Sequence, residues 1–242
     1  MGAVADLHYS LQSQASIVPM LGRLVDEADV LLLCGDLTHH GRTDEAAALV
    51  REMAAVRIPM LAVLGNHDHH SDQQDEIKRM LVDSSIHLLD GDATEIRGVG
   101  FAGVKGFASG FGRHLLEPWG ERIVKEFVHE AVEEALRLES ALAGLRTPQR
   151  IALLHYAPIA DTVQGEPPEI FPFLGSSRLE EALNRFQVTA AFHGHAHHGS
   201  PEGRTSAGVP VYNVSIPLLR RSNPERPYRI VEIEIEPAAT AG

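Results

Sequence analysis

Five short apolar runs in this chain end in the same way, with an aspartate, histidine or asparagine one to three residues beyond the last apolar side chain. Ala3 to Ala5 leads into Asp6-Leu7-His8, Val30 to Cys34 into Gly35-Asp36, and Met60 to Leu64 into Gly65-Asn66-His67-Asp68. Ile151 to Leu154 leads into His155, and Val188 to Phe192 into His193-Gly194-His195-Ala196-His197. Continuous apolar runs of this length, bounded by turn residues, read as strands buried on both faces. In open α/β sheets the carboxyl ends of such strands line the ligand crevice. The recurrence therefore predicts a fold that gathers carboxylate, imidazole and amide groups from five strand ends along one edge.

The segments between these runs specify the rest of the architecture. Ser13 to Ala28 and Thr43 to Val56 carry helix-spaced apolar positions, so the first half alternates strand and helix, the pattern of parallel βαβ units. Ile86 to Leu89, Thr94 to Arg97 and Val99 to Val104 read as further strands. Gly120 to Leu145 reads as a long amphipathic helix ended by Thr147-Pro148, and Val209 to Val214 and Tyr228 to Ile235 complete a second set of strands. The expectation is an α/β fold: a four-layer α/β/β/α sandwich of two mixed β-sheets flanked by helices. A length of 242 residues suits a single domain over 1–242. Beyond Pro237 only a short Ala- and Gly-containing tail remains.

Composition narrows the partners. The 21 Lys and Arg against 33 Asp and Glu leave a formal charge of −12. A surface of that sign repels a long polyanion, so extended nucleic-acid binding is not expected, whereas a small phosphorylated substrate is compatible with a local cation. No stretch reaches the roughly 18 apolar residues of a membrane span, and the N-terminus lacks the pattern of a signal peptide. The single cysteine, Cys34, permits no intrachain disulfide and fits a cytoplasmic location. Fourteen histidines, clustered beside the strand ends, point to metal chemistry.

Taken in order, D-x-H at Asp6-Leu7-His8, GD at Gly35-Asp36, GNHD at Gly65-Asn66-His67-Asp68, a lone His155 and GHxH at Gly194 to His197 resemble the calcineurin-like metallophosphoesterase superfamily. The resemblance implies a dinuclear site. Asp6, His8 and His197 would hold one divalent ion, Asn66, His155 and His195 the other, and Asp36 would bridge them. Nitrogen and oxygen ligands without thiolate suit Mn, Fe or Zn. A water shared by two cations loses a proton near neutral pH and would serve as the nucleophile. His67 would be a non-ligand that contacts phosphate with Asn66 and donates a proton to the leaving group, and Asp68 would orient His67 or support the turn. His39, His40, His69, His70, His193 and His198 adjoin these motifs and are candidates for substrate contact or for hydrogen bonding to ligands.

The implied activity is hydrolysis of a small-molecule or nucleotide phosphodiester. The alternatives are a phosphomonoesterase and a non-catalytic metal-binding scaffold. After Gly35-Asp36 the chain reads Leu37-Thr38-His39-His40-Gly41, without the second Asp and the Arg of the protein phosphatases' GDxxDRG, which argues against a protein substrate. Two segments are candidate pocket walls. Lys105 to Gly120, with Phe107, Phe111 and Trp119, could cap a base or another organic group. Asp161 to Ser176 could form a second wall or a homodimer contact.

Overall fold

The computed structural model describes residues 1–13 and 17–235. The first half alternates strand and helix: β1 (Gly2–Val4), α1 (Val18–Glu27), β2 (Leu31–Cys34), α2 (Thr43–Met53), β3 (Met60–Val63), α3 (Gln74–Asp83) and β4 (Ile86–Leu88). The antiparallel pair β5 (Asp92–Ile96) and β6 (Val99–Gly103) leads through a long loop to α4 (Arg122–Gly144) and β7 (Gln149–Leu153). Then follow α5 (Phe171–Leu174), α6 (Ser177–Arg185), β8 (Ala190–His193), β9 (Glu202–Arg204), β10 (Pro210–Asn213), α7 (Ile216–Ser222) and β11 (Arg229–Ile230).

The strands form two mixed sheets. One has the order β11-β1-β2-β3-β4, parallel except for β11. The other has the order β5-β6-β7-β8-β10-β9, with β5 and β9 antiparallel at its edges. Alternation along β2 shows how the layers arise. Leu31 and Leu33 pack outward among Leu24, Leu49 and Met53 of α1 and α2. Leu32 and Cys34 pack inward, with Phe101, Ile151, Leu153 and Phe192 of the facing sheet. On that sheet Ala102, Ala152 and Ala191 turn outward onto Leu138, Leu142, Leu179 and Leu183 of α4 and α6. Strands buried on both faces must be apolar at consecutive positions, which is why they read as continuous runs. Phe101 and Phe192, almost fully buried between the sheets, contribute about 1.5–3 kcal/mol each through area removed from water.

The four-layer expectation is met, with shifts at element ends. The Val188 to Phe192 run pairs two residues late: Phe186 and Gln187 form the turn out of α6, Val188 N–H bonds back to Leu183, and β8 pairs from Ala190. Of Tyr228 to Ile235 only Arg229 and Ile230 pair, against Ala3 and Gly2. The helix expected over Ser13 to Ala28 is present as α1; residues 14–16 of that range, and the tail after Pro237, lie outside the described residues. Among the described residues, no helix is long and apolar enough to cross a membrane.

Candidate metal centre

The loops after β1, β2 and β3 of one sheet meet those after β7 and β8 of the other, so the centre lies where the carboxyl ends of both sheets converge. Four of its residues, Asp6, His8, Asp36 and His195, have positive φ, at 58°, 43°, 50° and 68°. The left-handed region is unfavourable for such side chains and persists where the surroundings enforce it, most often at functional sites. Two glycines make the close packing feasible. A Cβ on Gly35, which itself has φ +85°, would collide with the His155 ring, and one on Gly65 would collide with the Asp36 carboxylate.

Two donor groups result. Asp6, His8 and His197 form one, and Asp36, His155 and His195 the other, with ligand atoms within 4.8 Å of one another in each. In the first, His197 Nε2 stands 3.3 Å from both Asp6 Oδ1 and His8 Nε2. In the second, His155 Nε2 stands 3.4 Å from Asp36 Oδ1 and 2.9 Å from Asn66 Oδ1. Asp36 lies between the groups, because its other oxygen is 3.9 Å from His8 Nε2. All seven residues expected to be ligands are thus brought together.

Hydrogen bonds fix which ring nitrogens remain free. His155 Nδ1 donates to the Cys34 carbonyl at 3.0 Å, so Nε2 presents its lone pair toward the Asp36 carboxylate. His195 Nε2 donates to the Phe173 carbonyl at 3.1 Å, leaving Nδ1 as its free donor atom. Imidazole nitrogens and carboxylate oxygens converging at these distances suit a cation. Burial favours the neutral form of three of these imidazoles: His8 is pushed down to about 4, His155 well below the ordinary histidine range, and His195 below it. For His197 burial acts the same way, but the Asp6 hydrogen bond and charge outweigh it and raise the ring above its ordinary value. Burial also raises Asp36 well above the usual carboxylate range, reinforced by the charges of Asp6 and Asp68. Asp6 moves the other way. Burial opposes its charge, but the His197 hydrogen bond and the imidazoles of His155, His197 and His8 hold its carboxyl below the usual range. Neutral imidazoles and carboxylates are the forms that bind a divalent ion.

His67 stands over the first group, its ring 4.4 Å from that of His8. Its backbone N–H donates to Asp36 Oδ1 at 2.7 Å, and its Nδ1 donates to the His39 carbonyl at 2.7 Å. Asp68 does not touch the His67 ring. It is fully buried and accepts from the N–H groups of Leu37, Thr38 and Gly65 and from the Thr38 hydroxyl, clamping the β2 and β3 loops together. Of its two expected roles, support of the turn is the one observed.

The other histidines divide by partner. The exposed His39 forms a third group of facing ring nitrogens with His8 and His67. His40 is held by the buried Glu45 at 2.8 Å, and His198 by Arg221 at 3.0 Å. His193 is buried, donating to the Gly194 carbonyl and accepting from the Thr162 hydroxyl, so it shapes the turn that carries His195 and His197. The His70 ring lies 5.2 Å from His67, and His69 is half-buried with its pKa lowered by burial.

Of the two candidate walls, Lys105 to Gly120 packs Phe107 against Phe127 and Tyr156. Phe111 packs beneath, among Ala157, Val163, Leu174 and Ala196, and Trp119 is exposed with no ring contact among the described residues. Tyr156, whose ring is 4.5 Å from His195, and the Phe173 carbonyl were not anticipated. The signal for Tyr156 was its place directly after His155; a backbone acceptor leaves no trace in sequence.

The profile of the calcineurin-like phosphoesterase family matches residues 2–199. The chain belongs to this family. As a calcineurin-like phosphoesterase it is a member of a family of metal-dependent phosphoester hydrolases, and its Asp and His groups could hold the metal. No curated protein matches its sequence. Among solved structures, it is similar to phosphopantetheinyl hydrolase from Mycobacterium tuberculosis, with TM-score 0.67 and 17% identity over 100% of this chain and 98% of the other. It is also similar to GAP50, the anchor in the inner membrane complex of Plasmodium, with TM-score 0.53 and 11% identity over 89% of this chain and 71% of the other. Likeness at these identities shows the shared fold.

Proposed function

We propose that this calcineurin-like phosphoesterase hydrolyses small organic phosphate esters, diesters before monoesters, at a centre of two divalent ions, Mn, Fe or Zn. The observation that carries the reading is Asp36 placed between two complete donor groups, one carboxylate oxygen toward each. Asp6, His8 and His197 would hold one ion and Asn66, His155 and His195 the other, with Asp36 between the two groups. When bound, a pair of this kind supplies an acidified water as nucleophile and positive charge against the phosphate oxygens.

The chain's own groups do the rest. The Asn66 amide and the His67 ring border the space beside Asp36 and contact a phosphate oxygen there. His67 is oriented twice, by its backbone N–H on Asp36 and by its Nδ1 on the His39 carbonyl. In the imidazolium form, which carries a proton on both ring nitrogens, Nδ1–H stays on the His39 carbonyl and Nε2–H passes to the leaving oxygen, a role typically worth about 10²–10⁴-fold. The preference for diesters rests on the complete GNHD and GHAH motifs, which resemble those of small bacterial-type phosphodiesterases. The charge of −12 disfavours long polyanions and leaves small substrates.

Hydrolysis of bis-p-nitrophenyl phosphate and p-nitrophenyl phosphate by metal-stripped protein, with and without Mn²⁺, tests this reading. Metal-dependent turnover with the diester well ahead is the expected result. A faster monoester makes the protein a phosphomonoesterase. Two metals bound with neither ester turned over would favour the scaffold reading, a role the anchor protein of similar fold makes concrete.

A further inference from the structure

A ladder of aromatic rings leaves the metal centre on the side of His155 and His195. The His155 and His195 rings are 5.0 Å apart, and Tyr156 lies 4.5 Å from His195. Phe107 follows at 5.8 Å from Tyr156, Phe127 at 5.0 Å from Phe107, and Phe173 at 6.2 Å from Phe127. These rings come from separate parts of the chain: Tyr156 follows β7, Phe107 lies in the loop after β6, Phe127 is on α4 and Phe173 on α5. The far end is open to water. Phe173 is 58% exposed, as are Ile123, one turn before Phe127 on α4, at 70%, and Ile170, just before α5, at 39%. Large apolar side chains left exposed side by side mark a binding surface.

Two features join this surface to the centre. The Phe173 carbonyl accepts the hydrogen bond from His195 Nε2, so the residue that presents the outermost ring also fixes a candidate ligand. Lys105 Nζ sits 4.9 Å from the Phe107 ring centroid and 5.4 Å from that of Tyr156, tied to the Gly106 carbonyl, which stiffens the inner part of the ladder. The rings are therefore positioned with the phosphate-binding end rather than on an independent surface.

We propose that Phe107, Phe127 and Phe173 form the subsite for the organic substituent of the phosphate ester, and that they select an apolar alkyl or aryl group over a small or polar one. The inference rests on the phosphoester reading above and names its substrate class. A substituent on phosphorus that points toward His195 passes the buried Tyr156, then meets the partly buried Phe107 and, if long enough, Phe127 and Phe173. Apolar burial there gives an affinity that rises with the length of the substituent.

Calorimetric binding of methylphosphonate and hexylphosphonate to the metal-loaded protein tests the proposal without relying on turnover. The hexyl compound should bind at least about tenfold more tightly, with a more negative heat-capacity change, the signature of apolar burial. Phe173→Ser, at an exposed position, and Phe127→Ala should each bring the hexyl-to-methyl affinity ratio toward one. Val82→Ser, at an exposed position on α3, should leave it unchanged. In parallel, kcat/KM for p-nitrophenyl hexyl phosphate over p-nitrophenyl methyl phosphate, which share a leaving group, should follow the same ratio. Equal binding of the two phosphonates, or a ratio that survives both Phe substitutions, overturns the subsite. A Phe173→Ser variant that converts a dimer to a monomer while keeping the ratio also overturns it and assigns the rings to an interface between copies. Binding of neither phosphonate, together with no ester turnover, is the distinct result that overturns the phosphoester reading itself.

Discussion

His67 is held more tightly than a side chain that merely borders a cleft. One hydrogen bond ties its backbone to Asp36 and another ties its ring to the His39 main chain, so its free nitrogen is aimed by two loops at once. It contributes no atom to either of the groups centred on Asp6 and Asp36. Removing its ring should therefore leave metal content intact while removing proton donation and the ring's phosphate contact. For His67→Ala, kcat/KM on a diester with an alkyl leaving group should fall about 10²–10⁴-fold. The loss on p-nitrophenyl esters should be much smaller, because that leaving group departs without a proton. Steady-state kinetics on the two leaving groups, with metal analysis of the same preparations, check this. Equal losses on both, or loss of bound metal, would count against a proton donor.

At the scale of elements, Asp90 shows how the helices flanking the site are tied together. It lies between β4 and β5, and its carboxylate accepts from Lys78 of α3 at 2.6 Å and from Arg137 of α4. Burial works against its charge, but the bonds from Lys78 and Arg137 outweigh it and hold the carboxyl below the usual range. A depressed native pKa means that the unfolded chain takes up the proton first, so this stabilisation is present above about pH 4 and is lost as pH falls through the native value. Asp90→Asn should lower stability at pH 7 by about 1 kcal/mol, or roughly 2–4 °C, with the gap to wild type closing below about pH 4. Urea midpoints at pH 7, 4 and 3 measure it, and a gap independent of pH would show that the charge is not the cause. None of this was legible in the sequence, because Lys78, Asp90 and Arg137 are scattered polar residues with no periodicity. The same holds for α3 and β9. The α6 segment did carry a signal in Ser176, whose side chain caps Arg178 N–H, followed by Leu179, Ala182 and Leu183 at helical spacing. The strands were legible for the opposite reason: burial on both faces leaves an unbroken apolar run, and the residue after it is positioned by the sheet. What sequence could not supply was direction, namely which ring nitrogen is free, that Asp68 clamps loops rather than His67, and that Phe127 faces Phe107.

For the molecule as a whole, the centre is a junction. Asp6, His8, Asp36 and Asn66 come from loops of one sheet, and His155, His195 and His197 from loops of the other. In each donor group, residues from both sheets meet, so an ion bound to either group links the sheets at their carboxyl edge. Without an ion, Asp36 is a buried carboxyl beside the charge of Asp6, a destabilising arrangement that the core must offset. A metal held there would bind the native chain in preference to the unfolded one, and by mass action would stabilise it by about 2.7 kcal/mol at a free concentration 100 times Kd. For a chain of this length that is roughly 5–11 °C in Tm. Chelation followed by dialysis should lower Tm by this amount, and added Mn²⁺ should restore it. Asp36→Asn, which retains the shape but removes the charge shared by both groups, should shrink the chelator-induced shift and lower metal occupancy at both positions together. An unchanged Tm on stripping would mean that the ions do not link the sheets, and full occupancy of one position in Asp36→Asn would mean that Asp36 serves a single ion. The two measurements separate a metal that organises the fold from one that only occupies it, and the placement of donors from both sheets around Asp36 argues for the first.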